Sequence, residues 1–174
     1  TINGYLWLVG ARETNNSEGS TKTTSIWELN DDNSWSERIN LDEMFSLDVD
    51  EQVWTACITP DGKVLCYVVN VMDFTKGPKL YLVDPLQESC RELMIDAPEF
   101  RDDPDREGFP DAAAFYYPLS NNRVLVLNSY TSASLLDLTT DTFEPVHMQD
   151  GSNEWYLCAA AELDGTILAL IQHK

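Results

Sequence analysis

Hydrophobic positions along this chain come in runs of strand length, and the polar positions between them are turn formers. KVLCYVV (63–69), RVLVLN (123–128) and TILALI (166–171) are continuous apolar runs. SIWELN (25–30), KLYLVD (79–84) and ASLLDL (133–138) mix apolar with polar positions. Both kinds are rich in β-branched and aromatic residues, and clusters of Gly, Pro, Asn and Asp bound them, which predicts strands and turns. No stretch carries the 3.6-residue periodicity of an amphipathic helix.

Laying the runs side by side exposes a repeat. VWTACITPDGKVLCYVV from Val53, DAAAFYYPLSNNRVLVLN from Asp111 and WYLCAAAELDGTILALI from Trp155 share one plan. A strand of small residues comes first, carrying Ala56 and Cys57, then Ala112 to Ala114, then Cys158 to Ala161. A turn follows at Asp61-Gly62, Asn121-Asn122 or Asp164-Gly165, pairs that tolerate positive φ and suit hairpins. An apolar second strand completes the hairpin. A second hairpin comes next, SIWELNDDNSWSERI, KLYLVDPLQESCRELMI and ASLLDLTTDTFEPVHM, with its last strand starting near Trp35, Cys90 or Phe143. Asp84 and Asp137 mark the same point of successive units and stand 53 residues apart. Between the hairpins the length varies: ETNNSEGSTKTT, NVMDFTKGP and SYT.

Four antiparallel strands per unit, with small residues on the first, predict an all-β fold: a partial β-propeller of four-stranded antiparallel blades. First strands crowd around a central channel, where bulky side chains fit poorly. The expected units are a partial blade at 1–42, blades at 53–96 and 111–150, and a partial blade at 154–174, in one propeller segment. Four or more blades are the usual number for closure. The expectation is therefore a piece of a longer propeller, the alternative being another chain that completes it and covers its open edge.

IWELNDDNSWSERINLD and LYLVDPLQESCRELMI resemble the repeat unit of F-box-associated and kelch-like propellers, in which a strand ending in a polar turn is followed by a large residue near the start of the fourth strand. The resemblance runs from Gly4 to Ile171. The kelch Gly-Gly doublet, the WD signature and F-box helices are absent from these residues. The resemblance implies a protein-recognition module, an interaction or adaptor part with specificity in loops at one face; separately, no cofactor is expected, calcium being the alternative.

Composition narrows the partner. With 11 basic and 30 acidic residues in 174, the formal charge is −19. Such a chain repels phosphate backbones and anionic lipid surfaces, so nucleic acid and membrane are not expected, and a basic protein partner or a cation is easier to accommodate. No apolar run has the length of a membrane-spanning helix. The chain starts at Thr1, which fits trimming, and no leader is legible. Cys57, Cys66, Cys90 and Cys158 are scattered without a CxxC pair, so a zinc site is not expected. Their apolar settings fit reduced thiols and an intracellular, cytoplasmic or nuclear, protein. The sequon at Asn15-Asn16-Ser17 lies in a polar loop.

Candidate chemistry is sparse, and no catalytic or metal residue is assigned. Asp103, Asp105, Glu107, Gly108 and Asp111 resemble the calcium loops of integrin-type propellers. Hard cations want several oxygen ligands, and Gly108 permits a sharp bend. Pro104, Pro110 and Arg106 stand against calcium, and LDVDEQVW, with Asp48 and Asp50, does not repeat the loop. An acidic connection between blades is the plainer reading. A propeller glycoside hydrolase is a second alternative, with Asp111 beside Asp48, Asp50 or Glu154 as its carboxylates. The two histidines, His147 and His173, build no triad. Most of Trp7, Trp27, Trp35, Trp54 and Trp155 are expected in the core, Tyr116 or Tyr117 at a channel mouth, and Tyr130 in a loop. The expected recognition surfaces are the variable loops 12–24, 70–78 and 129–132, or an opposite face carrying connections 42–52 and 96–110.

Overall fold

The computed structural model describes residues 7–16, 19–73, 76, 78–94, 115–127, 133–146 and 155–173. Within them the chain is all β apart from one helical turn, and its strands form four antiparallel sheets in chain order. The first holds β1 (Trp7–Asn16), β2 (Gly19–Leu29) and β3 (Trp35–Asn40). The helical turn α1 (Leu41–Met44) follows. The second holds β4 (Glu51–Ile58), β5 (Val64–Asn70), β6 (Lys79–Asp84) and β7 (Ser89–Glu92). The third holds β8 (Phe115–Leu119), β9 (Arg123–Leu127), β10 (Ala133–Asp137) and β11 (Thr142–Val146). The fourth holds β12 (Trp155–Leu163) and β13 (Thr166–His173). Each sheet is a meander in which every strand pairs with its neighbour in sequence.

Turn chemistry explains the meanders. Asn121 and Asn122 (φ 57° and 56°) and Asp164 and Gly165 (φ 50° and 76°) give consecutive left-handed residues, the geometry whose twist matches a two-residue hairpin. The β4–β5 turn is longer and uses Gly62 alone (φ 82°), closed by the Thr59 N–H on the Lys63 carbonyl at 2.8 Å. Between third and fourth strands the units repeat more closely. Asp84 Oδ1 accepts from the N–H groups of Leu86 and Gln87, and Asp137 Oδ1 from those of Thr139 and Thr140. The residue before the last strand is then left-handed, Glu88 (φ 48°) in one sheet and Asp141 (φ 54°) in the next; in the first the left-handed residue is Asn33 (φ 64°), two places before β3.

The sheets stack face to face. β5 is buried along its whole length because its two faces serve two interfaces. Val64, Cys66 and Val68 pack with Trp7, Ile26, Ile39, Leu41 and Phe45 of the first sheet and α1. Leu65, Tyr67 and Val69 pack with Tyr116, Val124, Val126 and Leu136 of the third. A strand covered on both faces reads as a continuous apolar run, and each fully buried Leu or Val is worth about 1.5–3 kcal/mol over its exposed state. The Phe45 and Tyr81 rings stack at 4.2 Å across the first interface. The third interface is slighter: Leu119 and Leu125 are buried with Ala160 of β12 against them.

Several expectations need correction. Residues 12–16 and 19–24 are strand rather than loop: β1 and β2 pair from Trp7↔Glu28 to Asn16↔Gly19. The register sets Glu13 opposite Lys22 and Thr14 opposite Thr21. The connection after β3 contains α1, which Asn40 starts by accepting from the N–H groups of Asp42 and Glu43. The second sheet's β5–β6 loop and the connection before β4 do not lie on opposite faces. A meander returns to the same edge after every second strand, so the β5–β6 loop lies beside the connection before β4, and the Val71 N–H donates to the Asp50 carbonyl at 2.8 Å. Trp35 and Trp54 are 43% and 44% exposed rather than core. Trp54 falls where the β4–β5 register shifts between Val53 and Thr55, and Trp35 opens a strand at the sheet edge.

Candidate functional site

Two edges of the sheets bring side chains together. The first is the hairpin edge, where the turns after β4, β8 and β12 meet. An open cavity of about 560 Å³ lies there. Ile58, Thr59 and Pro60 line it from the second sheet, Pro118, Leu119 and Ser120 from the third, and Glu162, Asp164 and Gly165 from the fourth. Its lining is held by hydrogen bonds between sheets. Glu162 accepts from the Ser120 N–H and, at 2.7 Å, from the Ser120 hydroxyl, and Arg123 stands 3.5 Å away. The Ser120 N–H, then its hydroxyl, hold the Glu162 carboxyl below the usual range. A glycosidic general acid needs the opposite shift. Thr59 donates to Asp61 at 2.6 Å and accepts from the Lys63 N–H at 3.0 Å, which fixes its side of the cavity.

The second is the loop edge. The paired β1–β2 strands run well past β3, which meets β2 only over Ser25 to Leu29. They form a two-stranded arm on the same edge as the β5–β6 loop and the connection 41–50. Lys22 of the arm donates to the Gln52 side chain at 3.4 Å, and the Thr24 N–H donates to Asp42 at 3.0 Å. Burial pushes the Asp42 carboxyl up, against the Thr24 bond and Lys22, and its Oδ1 has no donor. Asn70 Oδ1 accepts from the N–H groups of Met72 and Asp73 and turns the chain out of β5. Lys79 donates to Glu51 at 2.7 Å; the bond holds Glu51 below its ordinary value and Lys79 above its own. Val49 and Met72 flank the Asp50–Val71 bond and are 98% and 76% exposed, with Asp48 and Asp50 on either side of Val49 and Asp73 after Met72 in the chain.

The sequence candidates distribute unevenly over these edges. Asp48 and Asp50 lie at the loop edge, away from the cavity. Asp103, Asp105, Glu107, Gly108, Asp111 and Glu154 lie outside the described residues, as do loops 96–110 and 129–132 with Tyr130. Among the described residues no group of three or more His, Cys, Asp or Glu is placed to hold a metal, and no helix is long and apolar enough to cross a membrane. Tyr116 is buried between the second and third sheets, 6.0 Å from Tyr67, and does not open on the cavity; burial raises its hydroxyl, which has no partner. Tyr117 packs toward the fourth sheet. Cys57, Cys66 and Cys90 are free thiols, and burial pushes Cys57 up to about 12.

Sequence reasoning missed the cavity residues Ser120, Glu162 and Asp164, although the three aligned hairpin turns were the signal for them. It also missed a repeated ion pair between sheets. Arg38 of β3 reaches Glu88 of the second sheet's turn at 3.1 Å. Arg91 of β7 grips Asp141 of the third sheet's turn with both nitrogens, one at 2.9 Å, and also donates to the Leu138 carbonyl at 3.1 Å. The Asp141 bond raises the Arg91 guanidinium further above its already high value. Compared with models of known protein families and with curated proteins, the chain matches none.

Proposed function

We propose that the four sheets are successive blades of a β-propeller and that the chain is a protein-recognition module taking a basic partner on its loop edge. Support for the propeller comes from the antiparallel meanders stacked in chain order and from the cavity shared by three successive first hairpins. The observation that carries the recognition reading is Val49 with Met72. Two large apolar side chains stand out at 98% and 76% exposure on adjoining segments, with acids around them. Interfaces are built of apolar anchors inside a polar rim. The charge of −19 adds a long-range field that speeds the approach of a cationic partner.

The test is a panel of peptides that combine Lys or Arg with large apolar residues, followed by fluorescence anisotropy at low and high salt. Binding should weaken with salt and fall at least tenfold for Val49→Ser with Met72→Ser. Equal binding to the double variant would remove the loop edge from the reading. Salt-independent binding would remove the basic partner.

A further inference from the structure

The hairpin-edge cavity is built by three successive sheets and takes no part in recognition at the loop edge. At about 560 Å³ it falls within the range of about 300–1,000 Å³ usual for ligand pockets. Every turn of that edge in the second, third and fourth sheets is described, at 59–63, 85–88, 120–122, 138–141 and 164–165. The longer connections outside the described residues, 95–114, 128–132 and 147–154, join strand ends at the loop edge. The walls are stiff. The Thr59 N–H donates to the Lys63 carbonyl at 2.8 Å and the Thr59 hydroxyl to Asp61 at 2.6 Å, while Pro60 and Pro118 have φ fixed by their rings. The Glu162 side chain is 9% exposed and is tied to Ser120 of the neighbouring sheet.

We propose that this cavity takes a lysine or arginine side chain of a partner polypeptide, with its methylene stem against Pro60 and Pro118 and its charged head at Asp164. The acids of the site differ in what they already hold. Asp61 is paired with Lys63 at 2.9 Å, and Glu162 with Ser120 and Arg123, whereas Asp164 makes no ion pair among the described residues. Its left-handed turn (φ 50°) keeps it exposed in the cavity wall. One uncompensated negative charge therefore stands by two exposed prolines from different sheets. Long cationic side chains suit such a surface, because the stem lies on apolar groups while the head stays polar. An anion would meet Asp164, since the nearby cations Lys63 and Arg123 are already engaged. A pocket of this size takes a drug-sized body, so peptide residues flanking the side chain fit as well, which favours a polypeptide over a free amine. Walls that are already ordered lower the cost of binding. The site uses three hairpins and no residue of the loop edge, so it holds or fails independently of Val49 and Met72.

Three probes test it: the blocked tripeptide Gly-Lys-Gly, the same peptide with norleucine for lysine, and n-butylamine. Each is titrated into the full chain and followed by backbone amide NMR shifts. The lysine peptide should move the amides of Ser120, Asp164 and Gly165 and bind about fivefold more tightly than the norleucine peptide, the scale of one exposed ion pair. Asp164→Asn keeps a residue that tolerates the left-handed turn and should abolish that preference. Pro60→Ala should weaken both peptides alike and leave the preference in place. Val49→Ser with Met72→Ser should leave all three titrations unchanged. Absence of shifts at the three amides with millimolar lysine peptide would overturn the proposal. So would a preference that survives Asp164→Asn. Binding of n-butylamine as tight as that of the lysine peptide would overturn a polypeptide as the occupant.

Discussion

The second and third sheets have one topology, one turn and two different environments. Each is a four-stranded meander whose third and fourth strands are joined by an aspartate that folds back on two N–H groups. The second is covered on both faces, by α1 and the first sheet on one side and the third sheet on the other. Among the described residues the third is closely packed on the face toward the second sheet, while on its other face Leu135 is half-buried and Val146 exposed. The contrast separates what a repeat encodes locally from what its neighbours supply. Turn geometry and strand order travel with the unit, while burial of Leu82 against half-burial of Leu135 depends on what is stacked next to it.

The largest effect should come from the apolar position that differs most. Leu82→Ala removes a side chain that is 5% exposed and leaves a cavity, for a loss of about 3 kcal/mol. Leu135→Ala, at the corresponding half-buried position, should cost about 1 kcal/mol, because less transfer energy is lost and solvent fills the gap. Urea unfolding of the two variants gives the comparison directly. Equal losses would mean that the third sheet's outer face is already covered.

The charged positions should separate less. A double-mutant cycle on Arg91 and Asp141 should give a coupling of about 1 kcal/mol, at the upper end for an exposed pair because the grip is bidentate. Arg38 and Glu88 make a single contact and are 47% and 55% exposed, so their coupling should stay below about 0.5 kcal/mol. A stronger coupling at Arg38 than at Arg91 would break the link drawn between geometry and energy.

The all-β class and the four-strand meander were legible because local signals agreed. Continuous apolar runs, mixed runs and turn pairs such as Asn121-Asn122 all point to the same hairpins. The arm was hidden because its residues are polar: ETNNSEGSTKTT reads as loop until Glu13 is set opposite Lys22. The half-exposure of Trp54 was hidden because nothing in VWTAC announces a bulge. The cavity was only partly legible. Its turns were visible one by one, but that Glu162 of the fourth sheet seals against Ser120 of the third is a long-range fact that no spacing carries.

Acid should act on the covered sheet through Glu51 and Lys79, a pair that ties the start of β4 to the start of β6. Lys79 holds the Glu51 carboxyl below its ordinary value of 4.5, so the folded state takes up that proton less readily than the unfolded chain. The pair's contribution is complete above about 4.5 and fades as pH falls through the depressed value. Asp42 opposes this. Burial raises its carboxyl above 3.8, so protonation on acidification relieves a penalty and adds stability. Urea midpoints from pH 7 to pH 3 should therefore show the deficit of Glu51→Gln shrinking toward zero, and Asp42→Asn should be relatively most favourable at pH 7. A Glu51→Gln deficit that does not change with pH would assign the residue a packing role.

The smallest expected difference is also the sharpest test of equivalence. Asp84 and Asp137 do the same work in the two sheets, each accepting from two N–H groups of a turn that ends in a left-handed acid. The bond from the Thr139 N–H holds the Asp137 carboxyl below its usual range. Asp84→Ala and Asp137→Ala each leave the same two donors to water, so the two variants should lower Tm by small and equal amounts, whatever lies over the flanks of the sheets. Asn in place of either Asp keeps the acceptor oxygen and should restore most of the loss. If Asp84→Ala proves much the more damaging, the turn draws its stability from the third sheet packed beside it, through Arg91 and Asp141, and the unit is not locally self-sufficient. If the losses match, turn and strand order belong to the repeat itself, and only coverage belongs to the stack.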